Sequence, residues 1–483
     1  MTKDQQKPIE LDGRTGEGGG QLVRIACALA AVVTQPIRIT HVRGNREGPR
    51  GGGLKSQHVT AIEFLASATE AEVDGLSVGS HTLEFRPRLP PSAALIPRGI
   101  GGENTNKTKA IKISADSPAA STLLIFQAIF PFLLFSSSSD SKAELVRLEI
   151  SGGTNVSFSP SFEYVDQVLL PMLEVAYGIA VKRTLHSRGW SLGKAQRGRV
   201  EFEFAPLRLG ETLKLTEEGE RIFGARVPDA SSNKDGNDSG DGTDDSVERD
   251  IEAIDVSMIV PQNMHESLTE ALVNDLEELF PCVEVNFKII EDSGADSRIY
   301  VLLVARAGSL RWGRDILTSA PKNAKEPKKG SKSANSGKGS NTAHHTSSIS
   351  ETISRQVSKE LFEEVSAGGL VDEYLQDQMV IFQALAEGRS SVLRSTDEGS
   401  SGMDSSSVNN GITGLEQPMK QLAIGSERRM RRDKTDQPFG EGSMHTTTAR
   451  WVTAQLLPTS EWFNKGKICQ GVGMRMEPSG KTR

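Results

Sequence analysis

The chain alternates short runs of every-other apolar residues with longer segments whose apolar residues recur every three or four positions. These two periods separate strands from helices. Alternation over 37–42 and 145–150 predicts strands, with 111–114 and 200–204 as further candidates, and the helical period marks 21–33, 57–68, 119–135 and 162–176. That order of strands and helices predicts an α/β protein of layered sheets and helices. Past Pro206 the pattern changes to a strand at 253–260, then a helix with Leu268, Leu272, Leu276, Leu279 and Phe280 on one face. Alternation through Val283, Val285, Phe287 and Ile289 follows, then an apolar strand at 299–304. One helix among several strands reads as a small α+β domain inserted into its host. The host pattern resumes with a helix through Val357, Leu361 and Val365, stopped by Gly368 and Gly369, then helices at 372–387 and 449–457. The expected division is a core spanning 1–205 and 306–483, interrupted by the small domain at 206–305.

Three stretches break the periodicity. Residues 229–248 are almost purely Asp, Ser, Gly and Asn; residues 321–348 are rich in Lys, Ser, Gly and Asn and contain His344 and His345; a Ser-rich stretch from 395 continues as polar sequence to 442. With few apolar residues to offset the entropy of ordering, all three are expected to be flexible surface insertions. Length and composition add bounds. With 483 residues, two or three domains are expected, and 36% hydrophobic residues with 47 glycines is a normal globular content. A net charge of -7 argues against a surface that grips nucleic acid everywhere, and leaves room for a local basic cleft. Cys27, Cys282 and Cys469 are too dispersed for a disulfide framework or a zinc site, which points to a reducing compartment. Residues 1–10 are polar, unlike a signal peptide, and the longest apolar run, 122–135, is too short to span a bilayer. A soluble intracellular protein is the expectation.

Several side chains could carry chemistry. Thr15-Gly16-Glu17-Gly18-Gly19-Gly20-Gln21 runs into a helix, so it is either a tight turn or an anion cradle of backbone N–H groups. No Gly-Lys-Ser/Thr follows, which excludes a Walker loop, and Glu17 suits the magnesium that accompanies a phosphate. Arg24, Arg43, Arg46 and Arg50 are either solvated loop cations or guanidinium forks converging on a polyanion. Gln127, inside the most apolar helix, needs partners as a core amide or as a ligand contact. Asp372 is a candidate N-cap, whereas Tyr374, Asp377 and Gln378 share one helix face and could read a base and ribose. His445 follows a long polar loop and precedes a helical stretch; its imidazole is either structural or a nucleophile usable near neutral pH. The basic run Arg428-Arg429-Met430-Arg431-Arg432 fits a solvated loop, an RNA backbone contact or a nuclear import signal.

Taken in order, Glu17-Gly18-Gly19-Gly20-Gln21 with Arg24, then Arg43, Arg46, Gln57-His58, Ser151-Gly152-Gly153-Thr154-Asn155, the block from Asp372 to Gln378, His445-Thr446 and the block from Cys469 to Met474 resemble the RNA 3′-terminal phosphate cyclase family. The resemblance covers nearly the whole chain outside the low-complexity stretches. It implies a core of repeated βαβαββ units with a small inserted α+β domain. It also implies ATP-dependent conversion of an RNA 3′-phosphate to a 2′,3′-cyclic phosphate, through a histidyl–AMP intermediate and an RNA adenylate. The implied site has His445 as the adenylylated nucleophile and Glu17, Arg24, Arg43, Arg46 and Gln57 near metal and phosphates. Gln127, Pro160, Tyr374, Asp377 and Gln378 fall on nucleotide-pocket positions. The implied partners are ATP, magnesium or manganese, and an RNA with a 3′-phosphate end, with no membrane; residence is expected in the nucleus, with the cytoplasm as a second location. The chain departs from the family pattern at 47–56, where Arg50 has no counterpart, at 115–121 and at 188–198, all bearing on how an RNA end is placed. The competing reading is a non-catalytic cyclase-like RNA-binding factor in ribosomal RNA processing; the presence of both Glu17 and His445 favours the enzyme. A third reading is an enzyme that adenylylates ends but cyclises them poorly.

Overall fold

The computed structural model describes residues 6–46, 48, 51–96, 108–137, 145–225, 250–319, 340–394 and 430–477, with the backbone alone for 340–348. Arg50, the acidic stretch 229–248 and the pair Arg428-Arg429 lie outside the described residues.

The first unit runs β1 (Ile9–Asp12), α1 (Gly20–Val33), β2 (Ile37–Thr40), α2 (Ser56–Thr69), β3 (Glu72–Asp74) and β4 (Leu83–Arg86). Its sheet has the order β1-β2-β4-β3, with β1 and β2 parallel and the remaining pairs antiparallel. The second unit repeats this plan with β5 (Thr108–Ser114), α3 (Thr122–Leu134), β6 (Leu145–Gly152), α4 (Phe162–Tyr164), a π turn at Val165–Leu169, α5 (Leu170–Tyr177), β7 (Val181–Ser187) and β8 (Gly198–Phe204). The sheet order is again first-second-fourth-third, β5-β6-β8-β7.

A third unit is split. Its first strand is reduced to a parallel bridge between Lys214 and Glu387. After α6 (Glu217–Phe223) the chain leaves to build β9 (Ala253–Val260), α7 (His265–Leu279), β10 (Glu284–Asp292), β11 (Ile299–Ala307), β12 (Leu310–Thr318) and α8 (Ser340–Ser366). These strands form their own sheet, β10-β9-β11-β12, with α8 lying against α7 and the β11–β12 hairpin. The chain then returns as α9 (Glu373–Leu385), β13 (Arg389–Ser390), α10 (Met444–Leu456), β14 (Glu461–Phe463) and β15 (Ile468–Gln470), ordered β13-β15-β14. The α/β layers expected from the sequence are present, built of the βαβαββ units that the family resemblance implies, and the helices join them in a ring. The first helix of each unit packs on the second helix of another: α1 on α10, α3 on α2, and α9 on the π turn after α4.

Local differences from the sequence reading have physical causes. The strand expected to reach Val42 ends at Thr40, because His41 and Arg43 turn into the left-handed region at φ 49° and 55°. The helix expected from 119 begins at Thr122, where Ser121 caps it by accepting from the Leu124 N–H. The helix α8 reaches back to Ser340, so the last residues of the Lys/Ser-rich stretch are helical; extending a nucleated helix costs far less than starting one. Residues 430–442, expected to be flexible, are anchored. Asp433 accepts from the Lys465 and Gly466 N–H groups at 2.9 and 2.6 Å, Arg450 donates to the Glu441 carbonyl at 2.5 Å, and Phe439 meets Trp462 edge to face.

Candidate functional site

Gly19 is the N-cap of α1 and supplies no side-chain bond, so the first N–H groups of the helix and the positive end of its dipole face the loop before it. Gly16 lies at φ 66°, and a Cβ there would fall 2.1 Å from Thr448 Oγ1. Only glycine lets this loop close on α10, which brings the Glu17 N–H to Thr448 Oγ1 at 2.9 Å. The helix α10 starts at Met444 because Ser443 caps it, Oγ accepting from the Thr446 N–H at 3.2 Å. His445 is therefore on the first helical turn, a correction to the expectation that it precedes the helix.

His445 Nδ1 lies 3.2 Å from Gln21 Oε1 and 4.0 Å from Glu17 Oε2. Gln21 Nε2 donates to Asp377 Oδ2. An ionised carboxylate only accepts, which turns the amide nitrogen of Gln21 to Asp377 and its oxygen to His445. An amide oxygen also only accepts, so Nδ1 carries the imidazole proton and the lone pair resides on Nε2. Asp377 accepts further from Gln378 Nε2 at 2.9 Å, and Gln378 Oε1 accepts from Gln127 Nε2 at 2.5 Å. One hydrogen-bonded series thus links α3, α9, α1 and α10. Burial pushes the Asp377 carboxyl up to about 6, offset by the Gln378 hydrogen bond and by His445 and Arg24.

Cations surround the loop. Arg46 donates to Glu17 Oε1, while Glu17 Oε2 is buried without a hydrogen-bond partner. Arg24 makes no hydrogen bond or ion pair with any described residue; burial lowers its pKa to about 10, against the pull of Asp377 and Glu17. Arg43 reaches the Gly53 carbonyl only at 3.5 Å, and burial and then Arg46 lower its pKa, with Glu17 opposing. Its backbone, at φ 55°, costs a non-glycine residue on the order of 1 kcal/mol, strain of a kind that gathers at functional sites. Gln21, Arg24, Gln127, Asp377 and Gln378 line the polar side of a solvent-open pocket walled by Phe126, Phe130 and Ile381. Pro131, also on its wall, lacks the N–H that would bond the Gln127 carbonyl.

The structure brings Glu17, Arg24, Arg43, Arg46, Gln127, Asp377, Gln378 and His445 to this place. Gln57 is the second residue of α2, half-buried beside His58. Pro160 and Tyr374 sit at the neighbouring junction. Pro160 precedes Ser161, which caps α4, and Tyr374 is half-exposed, edge-on to Tyr164, with the Arg314 guanidinium 4.8 Å from its ring centre. Sequence reasoning missed the contacts of Gln21, Thr448 and Asn45, the last of which ties its own loop to the Arg14 and Gly16 carbonyls at 2.6 and 3.3 Å. Gln21 left a trace, as a polar residue at the head of an otherwise apolar helix; Thr448 and Asn45 left none. Among the described residues no cluster of three or more His, Cys, Asp or Glu could hold a metal. The orphaned Glu17 Oε2 still fits a cation that takes one carboxylate and completes its shell with phosphate oxygens and water. No helix among the described residues is long and apolar enough to cross a membrane.

Comparison with known proteins places this geometry. The profile of the RNA 3′-terminal phosphate cyclase family matches residues 15–403. Proteins named RNA 3′-terminal phosphate cyclase are similar to this chain. The one from Desulfurococcus amylolyticus is 36% identical over 205 residues, 42% of this chain and 50% of its own length. That of Methanosarcina mazei is 39% identical over 211 residues, 43% and 51% of the two chains. That of Drosophila melanogaster is 33% identical over 220 residues, 45% and 52%. The matched region thus spans about half the length of these curated relatives.

Proposed function

Since the chain belongs to the RNA 3′-terminal phosphate cyclase family, we propose that it is an active cyclase that uses ATP to convert an RNA 3′-phosphate into a 2′,3′-cyclic phosphate. The observation that carries the proposal is the orientation of His445. Its Nδ1–H is held on Gln21, with Glu17 Oε2 4.0 Å from the same nitrogen, which leaves the lone pair on Nε2 to act as the nucleophile.

In the first step Nε2 attacks the α-phosphorus of ATP, an N–P bond forms, and pyrophosphate leaves with the electrons of the broken P–O bond. Gln21 keeps the Nδ1 proton in place while positive charge grows on the ring, and Asp377 behind it holds Gln21 in that orientation. Among the described residues, Arg24 has no hydrogen-bond or ion-pair partner and Arg43 reaches only the Gly53 carbonyl at 3.5 Å, so their guanidinium groups could offset charge on nonbridging oxygens. Asp377, Gln378 and Gln127 offer acceptors and donors for the ribose and base, with Tyr374 and Pro160 at the adjoining junction. A 3′-phosphate oxygen of the RNA then takes AMP from His445, regenerating the imidazole. The vicinal 2′-hydroxyl closes on the 3′-phosphorus, losing its proton and expelling AMP. Glu17 would hold magnesium or manganese, which supplies positive charge against the phosphates.

The test is incubation with ATP labelled on the α-phosphate, for wild type and His445→Ala, followed by addition of a 3′-phosphorylated oligoribonucleotide. Label on the wild type alone, then a cyclic phosphate end, is the expected result. Label that passes to the RNA without a cyclic product identifies an enzyme that adenylylates ends but cyclises poorly. A folded wild type that takes no label refutes the enzyme reading in favour of a binding factor in RNA maturation.

A further inference from the structure

His58, the third residue of α2, is 2% exposed. Its Nδ1 accepts from the Lys55 backbone N–H at 3.0 Å, so the ring proton is on Nε2. That N–H donor is buried and has no partner among the described residues. Buried donors rarely go unpaired, and one that does points to something that binds there. Its direction is set by Gly20: a methyl group placed on that residue would fall 2.6 Å from His58 Nε2 and 3.0 Å from an Arg24 Nη atom. The imidazole and the guanidinium therefore converge on the first residue of α1, where no side chain caps the helix. Burial, with the cations Arg24, Arg43 and Lys55 around it, holds the His58 pKa well below the usual value, so the ring is a neutral donor. An uncapped helix N-terminus and, among the described residues, a cation without a partner and a buried N–H without an acceptor ask for one chemical feature, an anionic oxygen.

We infer that His58 contacts phosphate, its Nε2–H donating to a nonbridging phosphoryl oxygen bound between Arg24 and the first turn of α1. The inference rests on the cyclase reading, which offers two sources for that oxygen, the pyrophosphoryl part of ATP and the 3′-phosphate of the RNA. A neutral donor contributes direction without adding to the repulsion among Arg24, Arg43 and Arg46. This contact gives His58 a place in the reaction beside its cap on α2.

Two substitutions in the full chain separate the cap from the phosphate contact. His58→Asn keeps an acceptor for the Lys55 N–H but is too short to reach the Gly20 position. His58→Gln restores a donor at that reach. Three quantities are measured: the affinity for inorganic pyrophosphate, the single-turnover rate of protein labelling from α-labelled ATP, and the rate at which labelled protein passes AMP to a 3′-phosphorylated oligoribonucleotide. Adenosine affinity and thermal melting serve as controls. His58→Asn is expected to weaken pyrophosphate binding and slow labelling at least tenfold with both controls unchanged, and His58→Gln to recover most of the loss. A loss confined to the RNA step assigns the contact to the RNA phosphate and upholds the inference. Wild-type values for His58→Asn in all three overturn it, as does a loss that follows melting temperature alone. A wild type that takes no label refutes the cyclase reading, and the pyrophosphate titration still decides whether His58 contacts phosphate.

Discussion

Replacing Gln21 with methionine keeps the volume of the side chain and removes both of its hydrogen bonds. The bond to His445 Nδ1, at 3.2 Å, is of ordinary strength, and losing it costs about 1 kcal/mol in transition-state stabilisation. The bond to Asp377 involves a buried carboxylate, and its loss costs about 1.5 kcal/mol, since Gln378 remains as a partner. The two effects differ in where they are felt. Freeing Nδ1 lets the imidazole take the other tautomer or turn away, which slows the chemical step about fivefold at saturating ATP. An Asp377 that has lost a donor is harder to keep ionised and in place, which weakens nucleotide binding about tenfold. Single-turnover labelling from α-labelled ATP, followed over a range of ATP concentrations, separates rate from affinity. If folded Gln21→Met labels within twofold of wild type at saturation, Gln21 does not orient the nucleophile, and the tautomer argument for His445 fails with it.

The remaining predictions concern pH and stability. The Asp377 carboxyl, raised to about 6 by burial, takes up a proton as pH falls through that value, and one of its two accepting oxygens becomes a donor. Nucleotide affinity should therefore hold above about pH 6 and fall below it, whereas Asp377→Asn binds weakly with a flat profile; titrations of ATP across that range decide the matter. Glu364 is almost wholly buried and accepts from Arg314 and from Arg394 at 2.9 and 3.1 Å, joining α8, the inserted sheet and the segment after β13. Glu364→Ala leaves Arg314 and Arg394 only the more distant carboxylate of Glu373, at 3.4 and 3.6 Å, and should destabilise the fold by about 3 kcal/mol in urea denaturation. A loss below about 1 kcal/mol would mean that Glu373 and water replace the buried carboxylate.

What could be read from the sequence was what depends on local period and composition. The helices α1, α2 and α9 fall within a few residues of their expected bounds, since each carries an apolar face of helical period and ends where caps or left-handed residues stop it. Asp372 was legible as an N-cap, and its Oδ1 accepts from the Tyr374 and Leu375 N–H groups at 2.9 and 2.8 Å. The short strands β1, β3 and β4 were not, because three or four residues give too few alternations to rise above their surroundings and are held by pairing with distant chain. The order at 430–442 escaped for a similar reason: Asp433 and Glu441 are anchored by residues some thirty and ten positions further on. Within the site, Arg24, Asp377 and His445 stand out as types with chemistry to offer. What Gln21 does depends on which residues stand on either side of it, and these come from two helices, α9 and α10, of another unit of the fold.

The ring of helices has a seam. Gln21 and His445, which meet in the site, are 424 positions apart, and Glu17 and Thr448 are 431 apart, so the two sides of the candidate site belong to opposite ends of the described chain. Contacts of such separation repay their loop-closure entropy only after everything between them has been arranged. On the proposed function, a growing chain therefore carries Glu17, Arg24 and Arg43 without a nucleophile until α10 has been made, and reactivity would arrive with that closing helix. Anything that loosens the seam, such as strain in the loop on Gly16 or loss of the Ser443 cap, would switch the chemistry off while leaving the sheets of the first two units intact.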